Sequence, residues 1–215
     1  IAFFILAGEL MNAGGVSKRI IAFSIALVGH VRGGLGYVAI MASLIFSGLS
    51  GSAVADTAAL SAILIPIMEE AGYKRGHSAA LIAAAGIIPP LMPLSVPMII
   101  FGVTGSVSIP KLFMSGVFPG VLLGICLALT WAWIARKEHF KVQPRKSFKE
   151  VMLAAKDAVW AFILPLIIII GLRGGIFTPT EAASIAVFYA LIIGLFVYRE
   201  LKFNRIAEVL VAAAK

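Results

Sequence analysis

Apolar residues in this chain gather in long runs separated by short basic clusters, without the one-sided stripe of a soluble amphipathic helix. A helix needs about 20 apolar residues to cross a bilayer, so run length sorts the segments. Ile1–Met11 reads as the end of a spanning helix, closed by Asn12 and the pair Gly14-Gly15. Ile20–Val31 is too short to cross and is flanked by Lys18, Arg19 and Arg32, which predicts a helix lying in the plane of the cytoplasmic interface. Residues 1–32 are thus a partial span plus an in-plane helix. Residues 33–72 hold two short arms, Tyr37–Phe46 and Ala58–Met68, with the polar stretch Ser47–Thr57 between them. Arg32 precedes the pair and Lys74-Arg75 follows it, so both outer ends fall on one face. The simplest geometry is a re-entrant helical hairpin with its tip buried in protein.

Residues 73–110 read as a broken helix. Ser78–Ile88 begins it, and Pro89-Pro90-Leu91-Met92-Pro93-Leu94-Ser95-Val96-Pro97 must interrupt it, because each proline removes a donor and disfavours the helix before it. In lipid, such an unwound element is tolerable only where protein or a cavity satisfies its carbonyls. The rest is more regular. Residues 111–136 make one span, kinked or begun late at Pro119, and 137–157 form a basic cytoplasmic segment. Residues 158–215 give two spans and an interfacial tail, with a capping box predicted at Ser147/Glu150 and a second at Thr178/Glu181. Trp131, Trp133 and Trp160 suit an interfacial aromatic belt. The fold class is all-α integral membrane, polytopic, with a hairpin and a proline-broken helix.

Composition agrees and narrows the chemistry. Hydrophobic residues make up 61% and charged residues 13%, with a mean hydropathy of +1.05, whereas an ordinary soluble domain carries about 25% charged residues. The net charge of +8 does not argue for nucleic acid, since the basic residues sit in loops between apolar runs. Cys126 is the single cysteine, which excludes a disulfide framework within the chain and a cysteine-based metal site. The chain opens at Ile1 inside an apolar segment, so we expect it to be part of something longer.

An ionisable group inside a bilayer is costly, about 2.5–3.5 kcal/mol at mid-helix, and therefore marks function by default. Asp56 is the only acidic residue between Glu9 and Glu69, and it stands near Ser50, Ser52 and Thr57. Hydroxyls, a carboxylate and carbonyls freed at a helix break are hard oxygen donors suited to a small alkali cation. The broken element supplies further carbonyls and Ser95. Two broken helices facing each other are the usual midplane site of a secondary transporter. The plainer reading is that Gly48, Gly51, Ser52 and Ala53 serve close packing and Asp56 caps the second arm. Capping and ion binding are compatible on one carboxylate. Gly48-Leu49-Ser50-Gly51 also matches the pattern around the nucleophile of intramembrane serine proteases, but His30, His77 and His139 all lie beside basic loop residues, away from the depth of Ser50. A channel-like or structural membrane subunit is the other alternative.

Phe4–Met11 (FILAGELM), Ser47–Thr57 (SGLSGSAVADT), Ile65–Met68 (IPIM), Leu112–Gly120 (LFMSGVFPG) and Gly174–Ala183 (GGIFTPTEAA) resemble the large membrane subunit of TRAP transporters, the tripartite ATP-independent periplasmic transporters. The resemblance implies a sodium-coupled importer with an elevator-type fold in the bacterial inner membrane, and no enzymatic chemistry. It implies three partners: a small membrane (Q-type) subunit, a periplasmic substrate-binding protein, and an organic-acid substrate such as sialic acid, another sugar acid or a C4-dicarboxylate. It assigns sodium to Ser50, Ser52, Pro89, Met92 and Pro93, with Gly51, Asp56, Thr57 and Ser95 close by or facing the substrate. Two departures stand out. Pro89-Pro90 replaces the family's glycine-proline, and Pro93-Leu94-Ser95 replaces its proline-proline-serine. The family subunit also holds two inverted repeats, of which this chain carries the first, so the chain alone is not expected to transport.

Overall fold

A computed structural model describes residues 2–48, 52–138, 140 and 142–214. Among the described residues ten α-helices follow one another: α1 Ala2–Ala13, α2 Val16–Val28, α3 Gly34–Ser47, α4 Ala53–Glu70, α5 Arg75–Ala85, α6 Val96–Thr104, α7 Ile109–Ala135, α8 Phe148–Arg173, α9 Pro179–Ile192 and α10 Phe203–Ala214. A single 3-10 turn, Pro89–Leu91, separates α5 from α6, and a π-helical turn, Ile193–Val197, ends α9. Four stretches of the described residues are long and apolar enough to cross a membrane: Arg75–Thr104, Ile109–Ala135, Phe148–Arg173 and Pro179–Val197. The first of these is α5, the 3-10 turn and α6 together. α3 is apolar but has only 14 residues, short of a span.

Local chemistry sets the helix ends. The Glu150 carboxylate accepts from the Ser147 N–H at 2.7 Å, and Glu181 accepts from the Thr178 N–H at 2.6 Å, so the capping boxes at the starts of α8 and α9 form. α7 begins at Ile109 and passes through Pro119 without ending, because the missing N–H costs one hydrogen bond in a helix of 27 residues. α2 begins earlier than its apolar run suggests. Gly15 adopts φ 81° and turns the chain, and Ser17 donates to Asn12 Oδ1 at 2.7 Å.

The helices form two packing groups bridged by α2. α1 packs on α9 and α10, while α3, α4, α5 and α7 pack on one another; α2 lies against both α3 and α8. α7 and α8 are neighbours in sequence yet barely meet. Trp131 departs from the sequence expectation. It is not a belt residue but 2% exposed, and its Nε1–H donates to the Gly33 carbonyl at 2.8 Å. Its ring stacks with Tyr73 and Phe140, with centroids 6.1 and 5.9 Å away. Gly36 makes room for it: a Cβ there would strike the indole. Trp133, 62% exposed, does suit a belt.

The basic face is held by polar contacts. Glu138 pairs with Lys74 at 3.1 Å and with His77 at 3.2 Å, and Arg32 donates to the carbonyls of Arg136 and Glu138. Glu200 pairs with Arg19 at 2.8 Å and Lys18 at 3.4 Å, tying the start of α2 to the segment before α10. Partial burial alone would raise the Glu200 carboxyl, but the Arg19 hydrogen bond and charge, helped by Lys18, bring it below its ordinary value. A lowered carboxyl stabilises the fold above the ordinary carboxylate range and loses that contribution as the pH falls through the folded value. Thermal midpoints of the full-length protein should therefore drop on acidification more in the wild type than in Glu200→Gln. The two should converge once Glu200 is protonated.

Candidate functional site

Ser52 opens α4 as its N-cap. Its backbone is extended (φ −105°, ψ 109°) and its Oγ accepts from the Ala55 N–H at 3.4 Å. The Ser52 carbonyl accepts from the Asp56 N–H at 3.0 Å. Asp56 is 3% exposed in the first turn of α4, where a carboxylate complements the helix dipole by about 0.3–1 kcal/mol. Thr57 faces α5, and its Oγ1 lies so close to Gly86 that a Cβ on Gly86 would collide with it. The hairpin's second arm thus meets the broken helix just before the break. Ser50 and Gly51, assigned to the tip by resemblance, lie outside the described residues, as does His139.

The break itself is ordered by few hydrogen bonds. Leu91 N–H donates to Ile88 O at 3.0 Å and Met92 N–H to Pro89 O at 3.2 Å, which closes the 3-10 turn. Met92 is extended, Leu94 takes φ 71°, and Ser95 caps α6 by accepting from the Met98 N–H at 3.3 Å. No amide among the described residues donates to the carbonyls of Met92 or Pro93. Pro89's carbonyl, by contrast, is engaged within the turn. Pro89, Pro93 and Ser95 are buried and Met92 is half-buried.

α7 supplies the floor. A Cβ on Gly116 would strike the Leu91 carbonyl and the Met98 methyl, and one on Gly120 would meet the Met92 sulfur. The unwound backbone can lie flat on α7 only because those positions lack side chains. A cavity of about 400 Å³ opens beside it, lined by Leu44, Gly48, Met92, Pro93, Leu94 and Pro165 among others. The end of the first arm and the break therefore share one cavity, while the second arm touches the broken helix at Gly86, just ahead of the break. Ser52, Asp56 and Thr57 lie within two turns of one helix, and Pro89, Met92, Pro93 and Ser95 in one interruption. The donors are all hard oxygens: a hydroxyl, a carboxylate and uncommitted carbonyls. They fit a small alkali cation better than a thiophilic metal.

Leu94 is the strained point of this element. A bulky residue at positive φ costs about 1–2 kcal/mol relative to the right-handed region, and Leu94 is held there with its side chain 1% exposed. Leu94→Ala and Leu94→Gly both empty that packing site, so their difference isolates the backbone. We expect the glycine variant to be the more stable by about 1 kcal/mol, the reverse of the usual order, in thermal unfolding of the detergent-solubilised full-length protein.

The whole chain, residues 1–215, matches the family model described as "Tripartite ATP-independent periplasmic transporter, DctM component". The chain belongs to this family. It is 51% identical over 215 residues to the 2,3-diketo-L-gulonate TRAP transporter large permease protein of Escherichia coli, which covers 100% of the chain and 51% of that relative. It is 43% identical over 210 residues to the sialic acid TRAP transporter large permease protein of Vibrio cholerae (98% of the chain, 49% of the relative). It is 40% identical over 215 residues to the C4-dicarboxylate TRAP transporter large permease protein of Pseudomonas aeruginosa (100% and 50%). The chain spans about half the length of the curated relatives it matches. TRAP large permeases are transporter components rather than enzymes, and the chain is accordingly an integral protein of the inner membrane. Of the two described histidines, His77 pairs with Glu138 and His30 lines a basic pocket with Arg145 and Lys146.

Gly86, Gly116 and Gly120 carry no side-chain donor, so a search for ligating groups passes over them. The i, i+4 spacing of Gly116, Gly120 and Gly124 in α7 is the signal that marks the floor.

Proposed function

We propose that this chain is one half of the large permease of a sodium-coupled TRAP importer for an organic acid, working by an elevator motion. The observation that carries this reading is the meeting of hairpin and break. α3 and α4 flank the 3-10 turn and α7 underlies it; the Ser52–Thr57 turn brings a carboxylate and hydroxyls to the arm that packs on the broken helix through Thr57 and Gly86, and the Met92 and Pro93 carbonyls follow in the break. Sodium is a co-substrate here. Ser52 and Asp56 would bind it from the arm, and the carbonyls of Met92 and Pro93 from the break, so that the ion joins the two elements. Ser50 at the tip would complete the set. With the ion bound, the polar backbone of the break is neutralised and an anionic substrate can settle beside it.

The groups that would travel together are α3, α4, α5, the break, α6 and α7, since they pack on one another; α1, α9 and α10 would form the frame, with α2 and α8 between. The basic loops, with Arg136, Lys137, Arg145 and Lys146, would face the cytoplasm. The rest of the permease would bring the second repeat, and a small membrane subunit and a periplasmic binding protein would complete the transporter. The relatives named for 2,3-diketo-L-gulonate, sialic acid and C4-dicarboxylates support a carboxylate-bearing substrate.

Reconstitution of the full-length permease with its small subunit and binding protein tests the reading. Uptake of a radiolabelled organic acid should require an inward sodium gradient and saturate with substrate. Equal uptake when potassium replaces sodium would remove the coupling. Uptake that never saturates would favour a channel.

A further inference from the structure

The 18 lysines and arginines of the sequence are unevenly placed. α7 ends, α8 starts and the α9 span closes beside Arg136, Lys137, Arg145, Lys146, Lys149, Arg199 and Lys202. At the opposite ends of these same helices stand just two cations among the described residues, Lys111 in the first turn of α7 and Arg173 in the last turn of α8. Both line a single cavity of about 420 Å³, together with Pro93, Ser108, Phe113 and Met114 among others.

Neither cation has an acidic partner among the described residues. Glu181, which lies at the same end of the bundle, is engaged in capping: it accepts from the Thr178 N–H at 2.6 Å and from the Thr178 hydroxyl at 2.9 Å. Arg173 has an ordinary explanation, since a cation complements a helix C-terminus. Lys111 has none. It adds positive charge to an N-terminus that already carries it, on a helix with no acid in its first turn. The Ser108 hydroxyl makes no capping bond either. A local rule is broken without a structural gain, and such places are expected at functional sites.

The walls sharpen this. Pro93, Phe113 and Met114 are apolar, so the exposed Lys111 and Arg173 set the sign of the potential at this cavity, and low-dielectric walls focus it. The volume lies in the range of about 300–1,000 Å³ typical of small-molecule sites. Two like charges converge on a concave space large enough for a small molecule. The cavity also shares Pro93 and Ile169 with the one beside the end of α3, so it lies on the way to the break.

We propose that Lys111 and Arg173 form a carboxylate-receiving site, a vestibule that takes a small organic anion before it passes Pro93 to the break. This rests on the reading of the chain as part of an organic-acid importer. The acidic surface of a docked protein is the competing occupant, but a flat protein contact has no use for a cavity of this volume between α7 and α8.

The site can be tested without turnover. In the full-length transporter, with Cys126 and any other cysteine replaced by alanine, Met114→Cys places a thiol in the cavity wall; Met114 is 47% exposed. An anionic methanethiosulfonate should modify it faster than a cationic one. Lys111→Gln with Arg173→Gln should cut that preference by about tenfold, the lower end of the rate gain from electrostatic focusing in a cleft. Lys111→Arg with Arg173→Lys should keep it. Succinate and gluconate should slow the modification, and succinamide, the neutral diamide of succinate, should not. A reaction rate indifferent to reagent charge overturns the proposal, as does equal protection by succinamide. Protection that appears only when the binding protein is added assigns the cations to a protein contact and overturns it too. Loss of sodium coupling in the uptake assay would remove the functional reading while leaving the labelling result intact, so the two failures are distinguishable.

Discussion

Trp131→Ala should destabilise the full-length protein by about 3–5 kcal/mol, the usual cost of emptying a large buried aromatic site. Three losses combine. The indole is 2% exposed, it is stacked on Tyr73 and Phe140, and its N–H satisfies the Gly33 carbonyl. Removing it takes one of two donors from that carbonyl, which keeps the Gly36 N–H at 2.9 Å, and leaves a void. Gly36→Ala should also destabilise, because its Cβ would strike the same ring and the stacked neighbours hold the ring in place. The combination is the informative variant. With Trp131 gone, the alanine at 36 no longer collides, so the double variant should cost clearly less than the sum of the singles. Thermal unfolding in one detergent, with all three variants and the wild type, measures this. Strict additivity would mean that Gly36 matters for a reason other than the indole.

For the ion, the expected result separates side-chain from backbone donors. Ser52→Ala with Asp56→Asn should bring sodium-driven uptake in proteoliposomes down at least tenfold, toward the level seen without a gradient, since a hydroxyl and a charge are lost together. Met92→Leu should leave sodium dependence within about twofold of wild type, because the carbonyl stays and the two side chains are close in volume. Thr57→Val keeps the shape packed against Gly86 and removes one hydroxyl, so an intermediate effect would place that oxygen near the ion. If Ser52→Ala with Asp56→Asn kept full sodium dependence while Met92→Leu lost it, the donor assignment would be wrong.

Much of this was legible in the sequence where one residue dictates one local outcome. Prolines at 89, 90, 93 and 97 cannot sit in a continuous helix, and the chain does break there. Thr178 and Glu181 carry a capping box in their own chemistry, and it forms. Ser52 and Asp56 stand out because polar residues inside an apolar run need a partner or a role, and they open a helix that packs against the broken one. What escaped depends on pairs distant in the chain. Trp131 has the composition of a belt residue, and only the slot left by Gly33 and Gly36, nearly a hundred positions away, draws it inside. The floor under the break depends on residues defined by lacking a side chain, and Leu94's left-handed backbone goes against the preference of its own residue type. Each is a property of the assembled helices, and local pattern cannot express it.

The connection between α7 and α8 has a mechanical meaning. Residues 136–147 make 12 links between the two helices, enough chain to reach about 40 Å if drawn straight. Glu138 fastens the near end to Lys74 and His77, and Arg32 grips the carbonyls beside it. The slack is therefore not shared evenly. In the proposed elevator motion the residues up to Glu138 would ride with α5 and α7 as one piece, and the remainder of the connection would span the changing distance to α8. Under the proposed elevator motion a connection of that reach would not be what stops the travel; the stop would come from how far α2 can keep hold of both α3 and α8.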